Sequence, residues 1–125
     1  MTAPLGILLM SGTHERAHYA FVLAAGAAAM DRHVVLFATN DGCRALLEDW
    51  SSLAEAGRDA AVRARGVAGI GELRQSAAEL GVRMIVCEAG LRMVALESEI
   101  MSQGVEIAGV TTFLEAIRDG QIITL

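Results

Sequence analysis

The sequence predicts an α/β fold of three layers, a mostly parallel five-stranded sheet with helices on both faces. Two observations carry that expectation. Segments of strand length and segments of helical periodicity alternate along the chain. The strand segments are also continuously apolar rather than alternating, as in strands buried on both sides.

Residues 5–10 (LGILLM) form the first such run, closed by Ser11-Gly12-Thr13. Thr13 is placed to cap a helix whose first turn holds Glu15. That helix is alanine-rich and apolar almost all round through residues 17–30, so it must be deeply buried or packed on another subunit. Residues 33–39 (HVVLFAT) are the second strand, after which Asn40-Asp41-Gly42 breaks the chain and Asp41 is expected to cap a short helix. Residues 50–66 show only a weak helical stripe and are expected to be a helix or loop excursion. Ile70, Leu73, Ala77 and Leu80 recur at helical spacing, and Gly81 suits a left-handed cap, which predicts a helix over 71–80. Residues 82–87 (VRMIVC) are the third strand, followed by a helical turn and then an expected helix over 97–103 ended by Gly104. Residues 105–109 are a short fourth strand, Thr112 with Glu115 suggests a capping box, Gly120 ends that helix, and QIITL is the last strand. The whole of 1–125 is expected to be a single domain.

Composition narrows the function classes. Ten arginines, no lysine and 15 acidic residues give a net charge of −5, without the basic run that phosphate neutralisation requires, so no nucleic-acid partner is expected. At 54% hydrophobic residues the chain can bury a core without staples. Its longest apolar run, residues 19–30, is too short for a membrane span, and its amino terminus lacks a basic signal region, so a cytoplasmic location is expected. Cys43 and Cys87 have no zinc-site spacing, and in a reducing compartment they are expected to be free thiols.

In open parallel sheets chemistry gathers where strand carboxyl ends feed helix amino termini. Four such turns are expected: Ser11-Gly12-Thr13, Thr39-Asn40-Asp41, Cys87-Glu88-Ala89-Gly90 and Gly109-Val110-Thr111. Cys87 carries the nucleophile. A helix start favours its thiolate, while the neighbouring Glu88 opposes a second negative charge. On composition and spacing alone, a buried small hydrophobe is the favoured reading of Cys87. Cys43 is a possible second thiol on a weaker helix-start argument, and a disulfide between the two would need their strand ends to be adjacent, which the spacing does not show. His14, Glu15 and His18 resemble part of a metal site but fit a solvated helix face better, so no metal is expected. The SGT turn resembles a phosphate loop, yet five aromatic residues leave a flavin few stacking partners, and no cofactor is expected.

The segment ELRQSAAELGVRMIVCEAGLRMVALESEIMSQGVEIAGVTTFLEAI, with the earlier AAGAAAMDRHVVLFATNDGCRALL, resembles the DsrE/DsrF-like sulfur-relay family over most of the chain except residues 50–66. The cysteine followed by GVEIAGV is its most specific part. The resemblance implies a DsrE/DsrF-like domain whose strand-end cysteine, here Cys87, carries sulfur as a persulfide and acts as a sulfurtransferase-like relay. It further implies donor and acceptor proteins such as a rhodanese-like or TusA-like carrier, and homo- or hetero-oligomers. Glu88-Ala89-Gly90 departs from the polar, methionine-rich turn of many relatives, and Asp31 stands where glycine is frequent. The expected cleft lining is Ser11, Gly12, Thr13, Thr39, Asn40, Glu88, Gly109 and Thr111. Two other readings stay open: a small-anion or nucleotide binding module of the same fold, and a scaffold subunit with incidental thiols.

Overall fold

The computed structural model describes residues 3–125. Five parallel strands form one sheet in the order β4-β3-β2-β1-β5: β1 (Leu5–Leu9), β2 (Val34–Ala38), β3 (Arg83–Cys87), β4 (Glu106–Ala108) and β5 (Gln121–Thr124). Because all run the same way, their carboxyl ends share one edge. The helices are α1 (His14–Ala29), α2 (Arg58–Ala64), α3 (Ile70–Glu79), α4 (Glu88–Met93) and α5 (Val110–Ile117), with a 3-10 helix over Asn40–Leu46. The expected three-layer α/β architecture is the one observed.

Strand alternation sorts the side chains into two layers. Leu5, Ile7, Leu9, Val34, Leu36, Ala38, Met84 and Val86 pack with α1, α3 and the 3-10 helix. Val35, Phe37, Ile85 and Cys87 face α5 through Phe113 and Ile117, and Phe37 stacks on Phe113 with ring centroids 4.9 Å apart. Gly6 admits α5 closely, since a Cβ there would lie 2.9 Å from Ile117. One face of α1 is covered within the chain: Ala17, Ala20, Phe21, Ala24 and Ala28 are buried against β1, β2 and α3, and small side chains let the helices approach, while Tyr19 is exposed.

Several local expectations are corrected. Residues 97–103 form turns rather than a helix, and Met101 makes an antiparallel bridge to Leu47. That pairing, with the Glu48 N–H donating to the Ile100 carbonyl at 2.8 Å, draws the segment extended along the chain after the 3-10 helix. Asp41 lies inside the 3-10 helix and pairs with Arg44 at 3.0 Å; Thr39 is the capping position. Thr112 is likewise inside α5, whose cap is Gly109, so Thr112 and Glu115 form no capping box there. The left-handed residue that ends α5 is Arg118, at φ 55°, while Gly120 is needed because a Cβ would sit 2.2 Å from the Pro4 carbonyl oxygen. The excursion at 50–66 contains turns and α2. Thr13 caps α1 as expected, its hydroxyl accepting from the Arg16 N–H, and Gly81 is left-handed at φ 90°.

Candidate functional site

Cys87 ends the apolar run of β3 and is the capping residue of α4. Its Sγ accepts a hydrogen bond from the Gly90 N–H at 3.3 Å, and the residue is 9% exposed among Phe37, Ile85, Phe113 and Ala108. This contact ties the sulfur to the first turn of α4. Gly90 is also a packing requirement: a Cβ there would lie 2.4 Å from Thr39 Oγ1 and 2.7 Å from the Asn40 nitrogen. The first turn of α4 therefore rests directly on the end of β2.

The next turn is equally close, because a Cβ on Gly12 would come 2.5 Å from Asp41 Cβ. The strand-end turns after β1, β2 and β3 thus form one continuous edge around Cys87. The fourth turn follows in register, since Ala108 pairs with Cys87, but a Cβ on Gly109 would meet nothing within 4 Å and Thr111 is exposed. The polar side chains of the first two turns are hydrogen-bonded locally. Ser11 Oγ and Thr13 Oγ1 are 3.1 Å apart, and Thr39 Oγ1 donates to Asn40 Oδ1 at 3.0 Å. Glu88 is exposed, with Arg92 3.9 Å away one turn along α4. Gly90, whose amide reaches the sulfur, was not among the residues the sequence singled out as lining. Its signal is the glycine three residues after a strand-end cysteine.

Cys43 is fully buried on the other side of the β2 end, its thiol donating to the Ala38 carbonyl at 3.7 Å. Burial, and then the charge of Cys87, push the Cys43 thiol up to about 12, partly offset by backbone N–H groups including that of Cys87. Both cysteines are free.

A buried polar cluster braces the edge from behind. His14 is wholly buried, with Nε2 2.9 Å from Asp59 Oδ1 and Nδ1 3.3 Å from Arg58 Nη1. Arginine can only donate, so Nδ1 accepts and Nε2 carries the proton given to Asp59. The same Asp59 oxygen accepts the Ile70 N–H at 2.8 Å, at the start of α3. Burial pushes the Asp59 carboxyl up, but the bonds from His14 and Ile70, with the positive charge of Arg63, outweigh it and hold the pKa below the usual carboxylate range. His18 stacks on His14 at 5.4 Å and bonds the Ala68 carbonyl. His14 and His18 are therefore committed to protein partners. Among the described residues no group of three or more His, Cys, Asp or Glu is arranged to hold a metal ion. The His14 N–H donates to the Ala54 carbonyl and the Ala54 N–H to the Gly12 carbonyl, which ties this cluster to the Ser11-Gly12-Thr13 turn.

A cavity of about 460 Å³, lined by Arg83, Thr112, Glu115, Ala116 and Arg118, opens at the start of β3, the opposite end from Cys87. It is a polar surface recess near the Arg83–Glu106 ion pair, whose two contacts of 2.6 and 2.8 Å are bidentate. Its position puts it away from the thiol chemistry.

The DsrE/DsrF-like family model matches residues 4–125. The chain belongs to the DsrE/DsrF-like family. Two solved structures share the fold of this DsrE/DsrF-like chain. The ychN protein from E. coli superposes with a TM-score of 0.74 at 15% identity, covering 100% of both chains. The protein of unknown function MTH1491 from Methanobacterium thermoautotrophicum gives 0.59 at 15% identity over 98% of this chain and 99% of its own. No curated protein matches the sequence significantly. The family places the chain on a fold of sulfur-relay type, and no helix among the described residues is long and apolar enough to cross a membrane.

Proposed function

We propose that the protein is a sulfur carrier, sulfurtransferase-like in its chemistry, that accepts sulfur as a persulfide on Cys87 and passes it to an acceptor thiol. The observation that carries this reading is the Gly90 N–H directed at Cys87 Sγ on the edge formed by the strand-end turns. The Cys87 thiolate attacks the outer sulfur of a donor persulfide, and the donor thiolate leaves. An acceptor thiolate later attacks the outer sulfur on Cys87 and regenerates the Cys87 thiolate. The persulfide extends about 2 Å beyond Sγ, which brings the transferable sulfur outward from a residue that is itself nearly enclosed. Ser11, Gly12, Thr13, Thr39, Asn40, Glu88, Gly109 and Thr111 form the rim that an incoming partner meets.

Donor and acceptor are proteins of the rhodanese-like or TusA-like carrier kind, the chain works as one domain in the cytoplasm, and it assembles as a homo-oligomer or within a hetero-oligomer. The test is to incubate wild type, Cys43→Ser and Cys87→Ser with a persulfide donor and compare intact masses with and without reductant. Wild type and Cys43→Ser should each gain about 32 Da that reductant removes, and Cys87→Ser should gain none. Sulfur on Cys87→Ser but not on Cys43→Ser reverses the assignment. No gain on any of the three favours the binding module.

A further inference from the structure

The structure answers the question of adjacency between the two cysteines. Strands β2 and β3 are neighbours, with Ala38 paired to Val86, so Cys87 follows directly beside the end of β2. Cys43 is bonded to that same Ala38 through its thiol. The 3-10 helix holding Cys43 and helix α4 starting after Cys87 are packed on each other, with Gly90 against Thr39 and Asn40. The Cys43 sulfur is near enough to Cys87 to feel both its charge and its backbone N–H.

We propose that Cys43 is a resolving thiol: when no acceptor arrives, Cys43 Sγ attacks Cys87 Sγ of the persulfide, a Cys43–Cys87 disulfide forms, and the outer sulfur leaves as hydrosulfide. The inference rests on Cys87 being the persulfide site. The step balances without another reactant. The S–S bond between Cys87 and the outer sulfur breaks as the Cys43–Cys87 bond forms; Cys43 is oxidised, the outer sulfur is reduced, and the proton of the Cys43 thiol leaves with it. The Cys43 thiol is held protonated by its surroundings, which supplies that proton but keeps the thiolate scarce. Discharge is therefore slow beside transfer to an external acceptor. Reduction of the disulfide restores both thiols.

The experiment loads wild type, Cys43→Ser and Cys43→Ala with inorganic polysulfide, removes the excess and follows each without acceptor. Non-reducing intact mass and trapping of released hydrosulfide are read together. Wild type should lose its added sulfur while passing to a species about 2 Da lighter than the reduced protein, with one hydrosulfide per chain and a rate independent of protein concentration. Both Cys43 variants should hold the sulfur at least about ten times longer. The proposal is overturned if wild type keeps its sulfur as long as the variants do, or loses it without the disulfide mass. If the Cys43 variants never take up sulfur, the persulfide reading itself fails and this inference falls with it.

Discussion

His14 is the buried side chain on which the starts of three helices meet. It lies in the first turn of α1, bonds Asp59 and Arg58 at the start of α2, and through Asp59 fixes the first N–H of α3. Truncating it leaves a cavity and a buried carboxylate short of a donor, so His14→Ala should cost about 2–4 kcal/mol in urea denaturation at neutral pH. Asp59 has its pKa lowered in the fold, so its contribution is present above the unfolded carboxylate value near ~4 and is lost as pH falls through the folded value. Asp59→Asn should accordingly narrow its gap to wild type below pH ~4, read from urea midpoints. Cys43 has the opposite sign. Its thiol is raised to about 12, so the folded state holds a proton that the unfolded chain gives up above its own value near ~8.5, and wild type should lose roughly 1 kcal/mol per pH unit relative to Cys43→Ala as pH rises above it. The sequence marks His14 and His18 but reads them as a solvated helix face, whereas His14 is wholly buried; its partner Asp59 is not legible because it is 45 residues away in the stretch with the weakest periodicity.

At the scale of elements, the glycines separate close approach from mere helix weakening. Gly90→Ala places a Cβ against Thr39 Oγ1 and the Asn40 backbone, where little can yield, and should destabilise by about 1–3 kcal/mol with slower alkylation of Cys87. Gly26 sits exposed in α1 with nothing within 4 Å of an added Cβ, so Gly26→Ala should stabilise by about 0.5–1 kcal/mol in the same assay. Strands and long helices were readable because burial on both faces leaves continuous apolar runs, and the Ile70, Leu73 and Ala77 spacing marks α3 plainly. The errors fall where tertiary pairing overrides local pattern. Residues 97–103 have helical composition, yet the Leu47–Met101 bridge holds them in turns. Arg74 of α3 braces the same segment, donating to the carbonyls of Ala45, Leu47 and Glu48, an arrangement no local motif announces.

For the whole molecule, the sheet topology could be anticipated as parallel but not in its order, since strand neighbours are chosen by long-range packing. The four strand-end turns were legible as a group, but the contact of the first three through Gly12 and Gly90 was not. The small-residue face of α1 is covered internally, although Tyr19 and the capping Met30 are exposed, and Met10, Val110, Leu114 and Ile122 are exposed on and near α5 and β5. An assembly should use that side. Light scattering should report a mass above the 13.2 kDa monomer at micromolar concentration, and Leu114→Glu should lower it. A monomer in wild type would remove the homo-oligomer.

The central claim is the sulfur on Cys87, and peptide mapping of the wild-type chain tests it most directly. Arg32, Arg44, Arg83 and Arg92 place the two cysteines on separate tryptic peptides, residues 33–44 for Cys43 and 84–92 for Cys87. After exposure to a persulfide donor, alkylation to trap the terminal sulfur and digestion, the added sulfur of about 32 Da should be found on the 84–92 peptide, with fragment ions assigning it to Cys87. Sulfur confined to the 33–44 peptide, or absent from both, would contradict the account.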